Sequence, residues 1–167
     1  MHIFDRDLPY GAALKQIADH KLFKSINAEW YGEQKSRCAF RVNTDIGVYI
    51  RLATKPVNGE YVFNFKEAQT REIEAMKVSC KGNVFIVLIC YEAREVCVLP
   101  VKNLEALIAA RTETAGDAPS SGQHNVLITV RGSKSMRARV TVPGRKYKRI
   151  KLTRTIPRNA FPKLIFE

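Results

Sequence analysis

Val84-Phe85-Ile86-Val87-Leu88-Ile89-Cys90 is a run of seven residues without one polar side chain. Seven residues is an ordinary strand length and far short of the ~18 that a membrane span needs. A run that is apolar at odd and even positions alike has no face to give to water. It predicts a central β-strand covered on both sides. Covering two faces takes helices or a second sheet.

Upstream, Cys38, Phe40 and Val42 alternate with Ala39 and Arg41, and after Thr44-Asp45-Ile46-Gly47 the series Val48, Ile50, Leu52 alternates with Tyr49 and Arg51. An Asn58-Gly59 turn leads into Tyr61-Val62-Phe63-Asn64-Phe65, a third strand. The period then changes: residues 67–78, with Ala68, Ile73 and Met76, read as a helix that Lys81-Gly82-Asn83 ends. Nearer the N-terminus, Asp7 is placed to cap a helix over residues 9–20, with Leu14, Ile17 and Ala18 on one face. Residues 25–35 hold the only Trp, Trp30, beside Tyr31, and read as an irregular connection packed over that helix. Downstream, Val96 to Leu99 is a further strand, and Pro100 leads a short helix with Leu104, Leu107 and Ile108 on one side.

Residues 112–122, Thr-Glu-Thr-Ala-Gly-Asp-Ala-Pro-Ser-Ser-Gly, are the clearest linker. They divide the chain into an α/β core at 1–111, a linker at 112–123, and a basic meander with an apolar tail at 124–167. The two parts are expected to pack as one domain, since 167 residues is one ordinary domain and the second part is too small for a core of its own. The expected class is α+β, or mixed α/β: a mixed sheet flanked by two or three helices, with a C-terminal basic antiparallel β-meander that extends or flanks the sheet.

Charge changes abruptly at the same linker. Residues 125–167 hold 12 Lys/Arg against one Asp/Glu, a net of +11, while the whole chain carries +12. Charge serving solubility alone would have no reason to segregate in this way, whereas a surface that meets a polyanion would. The meander gives the charge a pattern. Met136, Ala138, Val140 and Val142 alternate with Arg137, Arg139 and Thr141; beyond a Pro143-Gly144 turn, Arg145, Tyr147, Arg149 and Lys151 share one face of the next strand. Across a hairpin these faces would align into a two-stranded ribbon with Tyr147 in its middle. Lys146 and Lys148 project from the other edge, and Arg154 adds a further cation. Arg and Lys supply phosphate contacts, and a tyrosine can stack on a base or pack on ribose. The expected partner is therefore nucleic acid, DNA or RNA, with no cofactor required. An acidic protein or a membrane surface is the alternative, and a merely solvated sheet face is the bland one.

The order helix, strand, strand, strand, helix, strand, with Asp45 entering the second strand and Asn64-Phe65-Lys66 ending the third, resembles the core of the PD-(D/E)XK nuclease superfamily over residues 8–90. The resemblance implies a metal-dependent nuclease in which Asp45 is a Mg²⁺ ligand and Lys66 the motif lysine. Asn64 stands where that family has its second acid. A neutral amide is a poor ligand for a hard cation, so a displaced Glu67, Glu60 or Glu72 would have to serve. Gln69 lies where some members use a polar helical residue. Against this reading, Asp45 is also an ordinary turn residue, and Lys66 an ordinary solvated start to a helix.

Other chemistry finds little support. There is no P-loop, G-x-G-x-x-G, G-x-S-x-G or HExxH sequence. Cys38, Cys80, Cys90 and Cys97 form no CxxC pair, and His2, His20 and His124 are far apart. Cys90 and Cys97 are expected on adjacent strands as buried thiols, and His20 as a helix-end residue. No secretory signal is visible, so a cytoplasmic protein with reduced thiols is expected. The tail, with Phe161, Leu164, Ile165 and Phe166, would dock within the chain or on a second copy, making a homodimer.

Overall fold

The computed structural model describes residues 3–31, 33–115, 123–132, 135–141 and 153–167. The elements are α1 (Asp7–Ala18), β1 (Ile26–Tyr31), β2 (Gln34–Val42), β3 (Ile46–Ala53), β4 (Tyr61–Phe65), α2 (Glu67–Ser79), β5 (Val84–Cys90), β6 (Glu95–Pro100), α3 (Val101–Ala115), β7 (His124–Arg131), β8 (Ser135–Val140) and β9 (Arg154–Pro157), then one 3₁₀ turn at Lys163–Ile165. The fold is α+β, with a mixed five-stranded sheet ordered β1-β2-β3-β5-β6 and an antiparallel four-stranded sheet ordered β4-β7-β8-β9.

β5 is the covered strand that its composition demands. It runs parallel to β3 on one side and antiparallel to β6 on the other, and all seven of its residues are buried. Alternation sends Val84, Ile86, Leu88 and Cys90 into one apolar core and Phe85, Val87 and Ile89 into another. The second core is closed by α1, through Ala13 and Ile17, and by the C-terminal tail, through Phe161 and Ile165. The first takes residues from α2, α3 and the inner face of the four-stranded sheet, so one core spans both sheets. Helix α2 comes so close to β3 that a Cβ on Gly47 would stand 2.5 Å from the Met76 side chain. Among the described residues, no helix is long and apolar enough to cross a membrane.

Several local expectations are corrected. Residues 25–35 are not an irregular connection: β1 lies there and pairs with β2, interrupted by a register shift between Ala28 and Trp30. That bulge breaks the period of 2 by which a strand is recognised. Trp30 is 60% exposed, not covered by packing as expected. Helix α1 starts at Asp7 itself, whose carboxylate accepts the Phe4 N–H at 2.9 Å without capping the helix. Helix α3 continues to Ala115, into the segment read as linker; residues 116–122 lie outside the described set. Strand β4 joins the basic meander rather than the main sheet, pairing with β7 from Tyr61↔Ile128 to Phe65↔His124. Tyr61, Phe63 and Phe65 are buried while Val62 and Asn64 are not, as suits a sheet with one open face.

The apolar tail docks within the chain. Phe161 and Ile165 are buried in the second core, and the Phe166 ring stacks on His20 at 4.2 Å between centroids. The Asn58-Gly59 turn forms as read, with φ of 52° and 80° at its two central residues and a Val57↔Glu60 bridge closing it.

Candidate nucleic-acid interface

The four-stranded sheet sorts its residues as period 2 requires. Met136, Ala138 and Val140 of β8 are at most 1% exposed on the core side, and Arg137 and Arg139 project from the other. Val126 and Ile128 of β7 and Ile156 of β9 join the core side. Opposite Arg137 stand Thr129 and Thr155, and opposite Arg139 stands Leu127. Neither arginine therefore faces another cation across the described ladder, which removes a direct like-charge penalty.

The two arginines differ in what they have left to offer. Arg137 is exposed. Arg139 is clamped by Glu60: its Nε donates to Oε1 at 2.9 Å and its Nη2 to Oε2 at 2.5 Å, and the Thr129 hydroxyl donates to the same Oε1 at 3.0 Å. This two-pronged pair fixes the fork of the guanidinium and raises the Arg139 pKa, first through the hydrogen bond to Glu60. Glu60 follows the Asn58-Gly59 turn and stands 79 residues from its partner, so nothing local in the sequence announces the pair. Arg154 does not share the outer face. It pairs with Ala138, on the inner side, and is half-buried.

Arg154 of β9 stands opposite Ala138 of β8, and the Pro143-Gly144 turn expected between them lies outside the described residues. Arg145, Lys146, Tyr147, Lys148, Arg149 and Lys151 lie outside the described residues.

The expected nuclease residues are not gathered. Asp45 is exposed in the β2–β3 turn. Lys66 and Glu67 are exposed at the start of α2, where the Lys66 N–H donates to Gln69 Oε1 at 2.9 Å and Glu67 pairs with Arg71. Helix α2 runs opposite to β3: Glu72 accepts the Tyr49 hydroxyl at 2.6 Å, and Met76, a turn later, lies over Gly47. Asp45 is thus at the far end of α2 from Lys66. Ten residues separate Lys66 from Met76, which is about 15 Å of helix. Asn64 spends its amide on Asn125 Oδ1 at 2.9 Å. Among the described residues, no three His, Cys, Asp or Glu side chains are grouped to hold a metal. Asp45 and its sequence neighbours therefore do not fit a Mg²⁺ site. Glu60, a candidate replacement acid, is bound to Arg139 instead.

No protein-family model, curated protein or solved structure matches this chain. All four cysteines are free, and Cys80, Cys90 and Cys97 are buried. Burial pushes the Cys90 thiol up to about 12 and the Cys97 thiol higher still, which holds both as unreactive thiols.

Proposed function

We propose that this protein binds nucleic acid through the outer face of its four-stranded sheet and the basic segment that follows β8, without catalysis of its own. The observation that carries the reading is segregated charge on patterned strands: 12 Lys/Arg against one Asp/Glu over residues 125–167, with Arg137 and Arg139 on the face of β8 opposite the core. Arg145, Tyr147, Arg149 and Lys151 belong to the same odd-numbered series as Arg137, Arg139 and Thr155.

Phosphate contacts from Arg and Lys dominate this mode, so affinity falls steeply with salt and depends little on sequence. The separation of Asp45 from Lys66 favours binding over cleavage. The test is a gel-shift series with labelled single- and double-stranded DNA and RNA, with Mn²⁺ or EDTA, run native and denaturing. The reading expects a shift with intact strands in both ions, weakened by Arg137→Glu and lost when Arg145, Arg149 and Lys151 are changed together to Glu. Strands shortened only with Mn²⁺ would replace the binder with a nuclease. Absence of any shift at low salt would leave the basic face to an acidic protein.

A further inference from the structure

Among the described residues, Arg111 is the only charged residue that is buried, at 4% exposure. A charge in the interior is ordinarily paired, because removing it from water is costly. Arg111 has no carboxylate partner among the described residues. Its Nε donates to the Thr141 carbonyl at 3.0 Å, which uses one of five donors. Thr141 in turn donates its N–H to the Asn125 carbonyl at 3.1 Å, at the end of the β7–β8 ladder.

The residue before Asn125 is His124. It pairs with Phe65 and so shares the inward face of that buried ring. Its Nδ1 is buried without a hydrogen-bond partner. Burial, and after it the nearby Arg111 charge, lower the imidazole below its ordinary range. A guanidinium with no carboxylate partner among the described residues and a ring nitrogen without a hydrogen-bond partner thus lie close to the point where β7 begins and β8 ends. Two groups that can both donate, with no carboxylate beside them among the described residues, suit an anion.

We propose that Arg111 and His124 form a receptor for one backbone phosphate of bound nucleic acid, a proposal that rests on the function proposed above. An arginine fork matches a phosphate in two-pronged geometry, and a phosphate would supply the missing counter-charge. The imidazole would then gain a partner for Nδ1 and take up a proton more readily.

The experiment uses the full chain, with inorganic phosphate as the first probe and a phosphodiester oligonucleotide as the second. His124 ring resonances are followed by NMR while phosphate replaces chloride at constant ionic strength. A saturable shift of His124, absent in Arg111→Met and reduced in Arg111→Lys, is the expected result. With the oligonucleotide, Arg111→Met should weaken binding about tenfold and flatten the salt slope by about 0.9, the loss of one phosphate contact. Unmoved His124 resonances in the unaltered protein would overturn the receptor, whether or not either variant folds. Oligonucleotide binding that is unchanged in a folded Arg111→Met would overturn it too, while leaving the proposed function standing. A phosphate response in a protein that binds no oligonucleotide would overturn nucleic acid as the source of the phosphate.

Discussion

Releasing Arg139 from Glu60 should make the protein a better polyanion binder and a less stable fold. Glu60→Gln keeps the shape of the side chain and removes its charge. The lost contacts include the two-pronged pair to Arg139 and the charged acceptor for Thr129. The side chains of Arg139 and Glu60 are 39% and 20% exposed, so the pair lies between a solvated bridge and a buried one. The cost is about 1–2 kcal/mol, seen as a melting point lower by about 3–6 °C. The gain is one uncompensated cation on the outer face. If it takes up one phosphate, the slope of log K against log salt steepens by about 0.9. Between about 50 and 200 mM salt the ratio of variant to parent affinity then changes by about 3.5-fold, with the advantage largest at low salt. Fluorescence anisotropy with a labelled oligonucleotide at four salt concentrations measures this, and a thermal melt on the same samples measures the stability loss. A melting point that falls as expected, with affinity and slope both unchanged, would refute the reasoning: Arg139 would be free and still would not touch the ligand.

The remaining predictions concern the fold that holds this face in place. Ile165 is 2% exposed in the core beneath α1, so Ile165→Ala should cost about 2–4 kcal/mol in urea unfolding while oligonucleotide affinity stays the same. Raised pKa values of buried acids make a second test. Tyr49 and Cys90 are 0% exposed, and burial raises the Cys90 thiol from 9.0 to about 12 and the Tyr49 phenol above its usual 10.0, the latter aided by its bond to Glu72. These groups keep their protons in the folded chain and lose them first in the unfolded one. Their contribution is present in full below pH 9 and is lost as pH rises towards the folded values, by about 1.4 kcal/mol per pH unit for each group. Urea midpoints at pH 8, 10 and 11, with tyrosinate absorbance followed alongside, check this; a flat profile would contradict the assigned burial.

What the sequence made legible was what period and local composition encode. The double-sided apolarity of 84–90 predicted a covered central strand, and the alternation through 136–140 predicted which side of β8 would carry arginines. Strand β1 was missed because the register shift between Ala28 and Trp30 interrupts its period. Partnerships between distant segments were not legible either. The order of helices and strands that resembled a nuclease core says nothing of the direction in which α2 crosses β3, and that direction parts Asp45 from Lys66. Nor did it show that β4 would leave the main sheet for β7, or that Glu60 would neutralise Arg139. Arg111 and His124 drew no functional interest as letters in the sequence. What marks them is the burial of Arg111 without a carboxylate partner among the described residues and of the unpartnered His124 Nδ1, and burial is a property of the fold.

The measurement that bears most directly on the proposed interface is the salt dependence of oligonucleotide binding by the unaltered chain. Log K should fall in a straight line with log salt, with a slope steeper than about −3, as expected when several phosphates are neutralised at about 0.9 each. A shallow or absent salt dependence, or no binding at the lowest salt, would contradict it.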